Sequence, residues 1–457
     1  MSKFLKQSRT RVRWATLAVG IGLIIFPSYS TLADEKRSQA QADVGLYGPA
    51  ENPPPDVQLP TPMAIPDELA RAAALAARTH PLINAAEAEV EALEADYRGA
   101  RWLRFPNLSV EALSATRGSS IADSDGLAVN AAIEQPIWSG GRISSEIDRA
   151  QAELGAGENR VGETRQDIVL QVTESYYNFT LADQRVQVLQ YSLDEHSRLL
   201  AAIDRRVQQE ISPRTDYVLG QSRTAQVELE LALAEEERES ARLRLQELTG
   251  SADIHPTLPP MTVAELVPPE EVALTEALAC SPSLAALTDL IEVAEAESDW
   301  ARAQLWPQVL LQLSQNEITG ARAAIVLRAQ TGNGLAAITA IDSSDARIRR
   351  AMAEFGETER SLRSQFRRNY VLLRAASRRI DSGLQAADTA DLIIASYERQ
   401  FVAGRRSWLD VMNAVREAAT ARLSESDARV TAAAATARIL ALSCRWQFDP
   451  AQTNPHE

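Results

Sequence analysis

The two longest proline-free stretches of this chain are residues 137–212 and residues 308–449. Proline inside a helix removes a backbone donor and clashes with the preceding turn, so runs this long without it are open to very long helices. Arg142 to Ile211 would span roughly 105 Å if continuous, at 1.5 Å per residue, and Ser343 to Ala403 would be only slightly shorter. Pro213 to Leu248 and Arg405 to Ser443 read as their shorter partners. Val227, Leu231, Ala234, Arg238, Ala241, Leu245 and Leu248 follow the alternating 4,3 spacing of a coiled-coil seam, interrupted at Arg238. The last helix offers small residues instead, among them Ala418, Ala421, Ala432 to Ala435, Ala437 and Ala441, which permit close helix approach. Helices of this length exceed the globular range and point to a bundle or fibrous architecture.

Where proline does occur it punctuates. Pro49, Pro53, Pro54, Pro55, Pro60, Pro62 and Pro66 define an extended N-terminal segment over residues 34–66. Pro256, Pro259, Pro260, Pro268 and Pro269 mark a linker over 251–269. The chain also repeats. An offset of 201 lays Pro81 on Pro282, Glu91 on Glu292, Arg101 on Arg302 and Pro106 on Pro307, with an aromatic before the second proline in both copies. Further on the offset is 194, laying Asp216 on Asp410 and Leu248 on Leu442. The first copy covers residues 67–250 and the second 270–446, with a tail at 447–457. Each reads helix, Pro, short β pair, long helix, tight turn, long helix.

The β segments alternate with period 2. Leu127, Val129, Ala131 and Ile133 fall on one face, against Asn130 and Glu134. Val309, Leu311 and Leu313 oppose Gln308, Gln312 and Ser314, and Ile325 and Leu327 oppose Arg328 and Gln330. Such one-sided segments fit transmembrane barrel strands, with a soluble hairpin packed on a helix as the alternative.

The N-terminus reads as an export signal. Lys3, Lys6, Arg9, Arg11 and Arg13 precede an apolar run from Trp14 to Phe26, and Thr31-Leu32-Ala33 has the form of a cleavage site. A spanning helix needs about 20 apolar residues, so an uncleaved anchor is the weaker reading. Loss of residues 1–33, with five basic and no acidic side chains, takes the formal charge from −15 to −20. That balance argues against nucleic acid, whose phosphates demand a basic face. Cys280 and Cys444 could pair in an oxidising compartment or be two buried thiols. His80, His196, His255 and His456 lack metal-ligand spacing, and no nucleophile-elbow or phosphate-loop pattern is present. His80, before Pro81, reads as a helix cap. The chain is therefore read as a non-enzyme that binds no cofactor and no metal.

This order of elements resembles the outer-membrane efflux proteins typified by TolC. The resemblance is carried by His80-Pro81, by Gln135-Pro136-Ile137-Trp138-Ser139-Gly140-Gly141, and by Phe401-Val402-Ala403-Gly404-Arg405-Arg406-Ser407-Trp408-Leu409-Asp410-Val411. It implies a mainly α fold with a small β part, long α-helical hairpins in a trimeric α-barrel, and a shared twelve-stranded transmembrane β-barrel with four strands per protomer. It implies an outer-membrane location with a large periplasmic portion. Its partners would be a periplasmic adaptor and an inner-membrane ABC or proton-driven transporter. Strand-to-helix turns would fall at Gly140 and Gly141, and at Gly332 and Gly334. Adaptor-contact tips would include Glu210, Ser212, Pro213, Gly404, Arg405 and Ser407. In a periplasmic gate, Arg406 and Asp410 match a gating arginine and a ring aspartate, and Asp216 matches the arginine's partner carboxylate. Phe401 stands where a hydrogen-bonding tyrosine is expected, Asn413 where a second ring aspartate is, and Glu210 where a glycine is. Type I protein secretion, including adhesin export, is the first expectation for cargo, with multidrug or metal efflux as the alternative. A periplasmic adaptor or structural coiled coil is the alternative of another class.

Overall fold

The computed structural model describes residues 62–115, 126–257, 266–316, 320–329 and 336–446, within a unit spanning Leu59–Glu457. The signal segment, almost all of the proline-rich N-terminal segment, Gly332, Gly334 and the tail at 447–457 lie outside the described residues, as do the side chains of Leu127 and Gln330.

Proline opens the short helices. Helix α1 (Asp67–Thr79) follows Pro66, and α2 (Pro81–Trp102) carries Pro81 at its first position, where a missing N–H costs nothing. His80 caps α2 as expected, accepting from the Leu82 N–H at 3.3 Å. In the second copy α5 (Glu270–Cys280) and α6 (Pro282–Ala303) repeat the pattern, with Ser281 capping through its hydroxyl. After each second proline come strands: β1 (Asn107–Ala115) and β2 (Gly126–Trp138), then β3 (Gln308–Asn316) and β4 (Gly320–Arg328). They form one antiparallel sheet in the order β1-β2-β3-β4.

Each long proline-free stretch carries a long helix that forms a hairpin with a shorter partner. Helices α3 (Arg142–Gln208) and α7 (Ala336–Val402) run 67 residues each, about 100 Å. Their partners are α4 (Arg214–Thr249) and α8 (Trp408–Leu442). Helix α7 begins seven residues before the expected Ser343 and equals α3 in length. Ser343, Ser344 and Asp345 imitate a cap in sequence, but the Ser344 hydroxyl donates back to the Ile341 carbonyl at 2.8 Å inside a continuing helix.

The expected seam on α4 is buried at Val227, Leu231, Ala234, Leu245 and Leu248. Arg238, its interruption, reaches Asp183 of α3 at 3.7 Å. Side by side, the long helices run α4, α3, α8, α7: α3 packs on both α4 and α8, and α7 packs on α8. The main core lies around their middle. There α1 lays Leu69, Ala73 and Ala76 near Val169, Val172 and Tyr176 of α3, and the small residues of α8 admit close neighbours. Cys280 and Cys444 are paired, with Cα atoms 6.5 Å apart. Cys444 takes a left-handed φ of 55°, and beside it Arg445 holds Glu276 through two contacts at 2.7 and 2.8 Å. The end of α8 is thereby fastened to α5.

Candidate functional site: helix tips and sheet faces

Both long hairpins turn by the same backbone device. After α3, the Glu210 N–H donates to the Val207 carbonyl at 3.0 Å and the Ile211 N–H to the Arg206 carbonyl at 2.8 Å. After α7, Gly404 and Arg405 repeat these bonds to Phe401 and Gln400 at 3.0 and 2.8 Å. The device needs a left-handed residue, and φ is 58° at Glu210 and 73° at Gly404. Ser407 then caps α8, accepting from the Asp410 N–H at 3.2 Å. Glu210, Pro213, Gly404, Arg405 and Ser407 are exposed and Ser212 is half-buried.

Phe401 is buried in the tip core with Ile203, Trp408, Val411 and Met412, and the Arg206 guanidinium lies 5.1 Å over its ring. The aromatic that meets Arg406 stands one helical turn earlier: the guanidinium sits 3.8 Å over Tyr397. Arg406 Nε is 3.8 Å from the Asp410 carboxylate, buried and without a hydrogen bond. The fold thus brings Arg406 and Asp410 together. Asp216 lies in the first turn of α4, where the helix dipole favours a carboxylate. Among the described residues its side chain makes no hydrogen bond or ion pair within the chain. Asn413 is exposed and lines a small cavity of about 60 Å³ with Arg223 and His196, whose Nδ1 lies 2.7 Å from the Ser192 carbonyl. No group of three or more His, Cys, Asp or Glu side chains among the described residues could hold a metal ion.

At the other end of the helices the register sorts the sheet into two faces, because directly opposed residues share a face. Leu108 pairs with Ile133, Val110 with Ala131 and Ala112 with Val129. Ile133 continues to Leu313, then Leu313 to Ala323, Leu311 to Ile325 and Val309 to Leu327. On this face Leu108, Val110, Val129, Ile133, Leu313, Ile325 and Leu327 are between 39% and 78% exposed. The opposite face carries Glu111, Asn130, Glu134, Gln312, Ser314, Arg322 and Arg328. Glu134 there accepts from Gln312 at 3.1 Å and pairs with Arg328 at 3.4 Å. Among the described residues, β1 and β4 are the sheet's two edges and pair with no further strand.

The turn from β2 into α3 depends on both of its glycines. Gly140 and Gly141 have φ of 65° and 98°, and a Cβ on Gly140 would stand 2.6 Å from Trp306 Cβ. Arg142 closes this turn on the second copy, donating to the carbonyls of Ala303, Gln304 and Trp306 at 3.3, 3.5 and 2.7 Å. Sequence reasoning missed the aromatic collar at this level. Trp102, Phe105, Trp138 and Trp306 are all at least 47% exposed, with Trp102 on Phe105 at 4.9 Å and Trp138 edge-on to Trp306 at 6.5 Å. Its signal was the aromatic before each second proline, which was read only as a mark of the repeat. Aromatic girdles flank the apolar band of membrane barrels. Among the described residues no single helix is long and apolar enough to cross a membrane.

Residues 73–251 match the protein family described as outer membrane efflux protein. The chain is 32% identical over 194 residues to the cobalt-zinc-cadmium resistance protein CzcC of Cupriavidus metallidurans, covering 42% of this chain and 44% of that protein. It is 22% identical over 309 residues to the alkaline protease secretion protein AprF of Pseudomonas aeruginosa, covering 64% of each. These matches span less than two thirds of either relative. Among solved structures, the outer membrane protein VceC of Vibrio cholerae superposes with a TM-score of 0.71 at 17% identity, over 84% of this chain and 97% of that one.

Proposed function

From the match of residues 73–251 to the outer membrane efflux protein family and a fold shared with an outer membrane protein, we propose that this chain is a TolC-type channel protein and one of three identical protomers of an outer-membrane exit duct. The observation that carries the proposal is the sheet: apolar on one face, polar on the other, and open at both edges. In lipid an unpaired strand edge is prohibitive, and four strands are too few to close a barrel. Neighbouring copies must therefore supply the missing pairs, and three copies give the twelve strands that the family resemblance implies. The apolar face then meets lipid, the aromatic collar sits at the membrane boundary, and Glu134 and Arg328 face the lumen.

The long helices carry the duct across the periplasm to the exposed tips, where a periplasmic adaptor and an inner-membrane transporter engage it. The duct catalyses nothing and carries no cofactor. At its mouth, Asp410 contributes a carboxylate ring and Arg406 holds that carboxylate through the Tyr397 stack. Asp216 opens α4 and Arg406 follows α7, the two outer helices of the protomer. The Asp216–Arg406 link of the closed gate therefore runs between neighbouring chains.

For cargo, type I protein secretion is the first reading, supported by the match to a protease secretion protein. Metal efflux is the second, supported by the higher identity to a cobalt-zinc-cadmium resistance protein. Light scattering of the detergent-extracted protein should give a trimer; a monomer that keeps its β signal would sink the shared-barrel reading. Deleting the gene should remove proteins from the culture medium under the first cargo reading, and lower tolerance to divalent cations under the second.

A further inference from the structure

The two flanks of the protomer carry opposite charge. In the outer helix α7, residues 360–380 hold seven arginines and no acid, whereas residues 228–239 of α4 hold six glutamates and one arginine. Each flank also leaves apolar side chains uncovered: Leu233 and Leu243 on α4 are 54% and 52% exposed, and Val371 and Leu372 on α7 are 57% and 43%.

Position along the helices can be counted from the tips, which lie level. A Cβ on Gly220, near the start of α4, would stand 3.7 Å from Met412, near the start of α8. Glu236 and Arg378 then both stand about 23 residues, roughly 35 Å, from the tip. Leu243 shares a level with Val371 and Leu372 at about 30 residues, and Glu247 with Arg367 at about 34. Glu236, Leu243 and Glu247 lie on one face of α4 by helical spacing, as do Arg378, Val371 and Arg367 on α7. Among the described residues, Glu236, Arg367 and Arg378 make no ion pair or side-chain hydrogen bond within the chain.

We propose that α4 docks against α7 on a second copy of this chain, in the register where the C-terminal end of the acidic run, at Glu236, stands level with the C-terminal end of the basic run, at Arg378. Glu236 meets Arg378, Leu243 meets Val371, and Glu247 meets Arg367. This rests on the reading of the protein as a ring of identical chains and adds which surfaces meet and at what level. Pairing α4 with α4 would set glutamate against glutamate, and pairing α7 with α7 would set arginine against arginine. Head-to-tail contact alone joins opposite charges, and such contacts close into a ring when the rotation between copies closes, as three identical protomers require. A slip by one turn would move Leu243 off Val371 and the charges out of level. Exposed ion pairs of this kind govern partner choice and register more than affinity.

Leu243→Cys combined with Val371→Cys in the full chain tests the contact, because the two native cysteines are already paired with each other. After mild oxidation in detergent, a non-reducing gel should show a covalently closed trimer, with no cross-link in either single variant. A trimer by light scattering that forms no cross-link would overturn the register while leaving the duct intact. A monomer would overturn the duct itself. A dimeric cross-link from Leu243→Cys alone, or capture of a purified adaptor in place of a second copy, would also overturn the proposal. Glu236→Arg and Arg378→Glu should each lower trimer yield, and their combination should restore it; equal yields in all three would remove charge from the contact.

Discussion

Two neighbouring residues of β4 give the sharpest test of the sheet assignment. Ile325 is 78% exposed on the apolar face and stands opposite Leu311. Ala324 is also exposed, and stands opposite Gln312 on the polar face. Along the strand they are separated by about 3.4 Å, so an arginine at either would lie at nearly the same depth. Only the face differs. On the lipid side near the midplane a guanidinium costs about 2–4 kcal/mol, and losing the isoleucine's apolar surface adds about 2 kcal/mol. Ile325→Arg should therefore weaken insertion by about 4–6 kcal/mol per chain, a factor of roughly 10³ to 10⁴ at 1.4 kcal/mol per tenfold change. Ala324→Arg, near the Gln312 and Glu134 side chains, should cost about 0–1 kcal/mol. Urea-dependent folding into liposomes, followed by the fluorescence of the exposed collar tryptophans, would read both values. A slip of one residue in pairing exchanges the two faces. Equal losses at both sites, or a larger loss at Ala324, would therefore refute the register and with it the lipid-facing assignment.

Glu210→Gly should raise stability by about 0.5–1 kcal/mol and Gly404→Ala lower it by about 1 kcal/mol, since both positions need a left-handed backbone; paired urea titrations would show it. Replacing Cys280 and Cys444 by Ser opens a crosslink spanning 164 residues, worth about 5 kcal/mol on the chain-entropy account, and should lower the midpoint of a thermal melt. Burial raises the Asp289 carboxyl above its ordinary value of 3.8, so its contribution favours the fold at low pH and is lost as pH climbs through the raised value. Asp289→Asn, which can still accept from Asn159, should flatten that fall in stability measured against pH. Arg406→Ala removes a cation–π contact of about 0.5–1 kcal/mol and an ion pair of about 0.2–1 kcal/mol. In planar bilayers it should raise single-channel conductance, and Asp410→Ala should reduce cation selectivity; unchanged conductance and selectivity would leave both as helix-end charges.

Much of the fold was legible because its signals are local and repeated. Pro81, Pro106, Pro282 and Pro307 mark the ends of the short helices, and their matched spacing exposes the duplication. The faces of the sheet followed from period-2 alternation at Val129, Ile133, Leu313 and Ile325, which the pairing register then joins into one surface. The start of α7 was not legible, since Ser343-Ser344-Asp345 has the chemistry of a cap and only the continuing helical turns override it. At the tip, local spacing found Arg406 and Asp410, four residues apart on one helix face. Tyr397 was missed because it reaches Arg406 across a turn, where no simple period links two positions. The cysteine pair stayed open for the same reason: 164 residues separate them, and only packing of α5 on the end of α8 brings them within reach.

The change in offset between the copies shows which lengths the structure constrains. β1 and β3 begin 201 residues apart, while α3 and α7 begin 194 apart. The seven-residue difference therefore falls between the first strand of each copy and its long helix. The helices absorb none of it: α3 and α7 are both 67 residues, and α4 and α8 are 36 and 35. An insertion in α3 would push its tip past that of α7 and break the tip core, where Ile203, Phe401, Trp408 and Met412 pack together. A helical insertion of seven residues would displace that core by about 10 Å. The same insertion in the hairpin leaves the ladder beside it intact, since β1 and β2 stay paired from Asn107 with Glu134 to Ala115 with Gly126. Length is held fixed where two hairpins must end level to form one mouth, and is free to vary where a strand pair only has to present one apolar face.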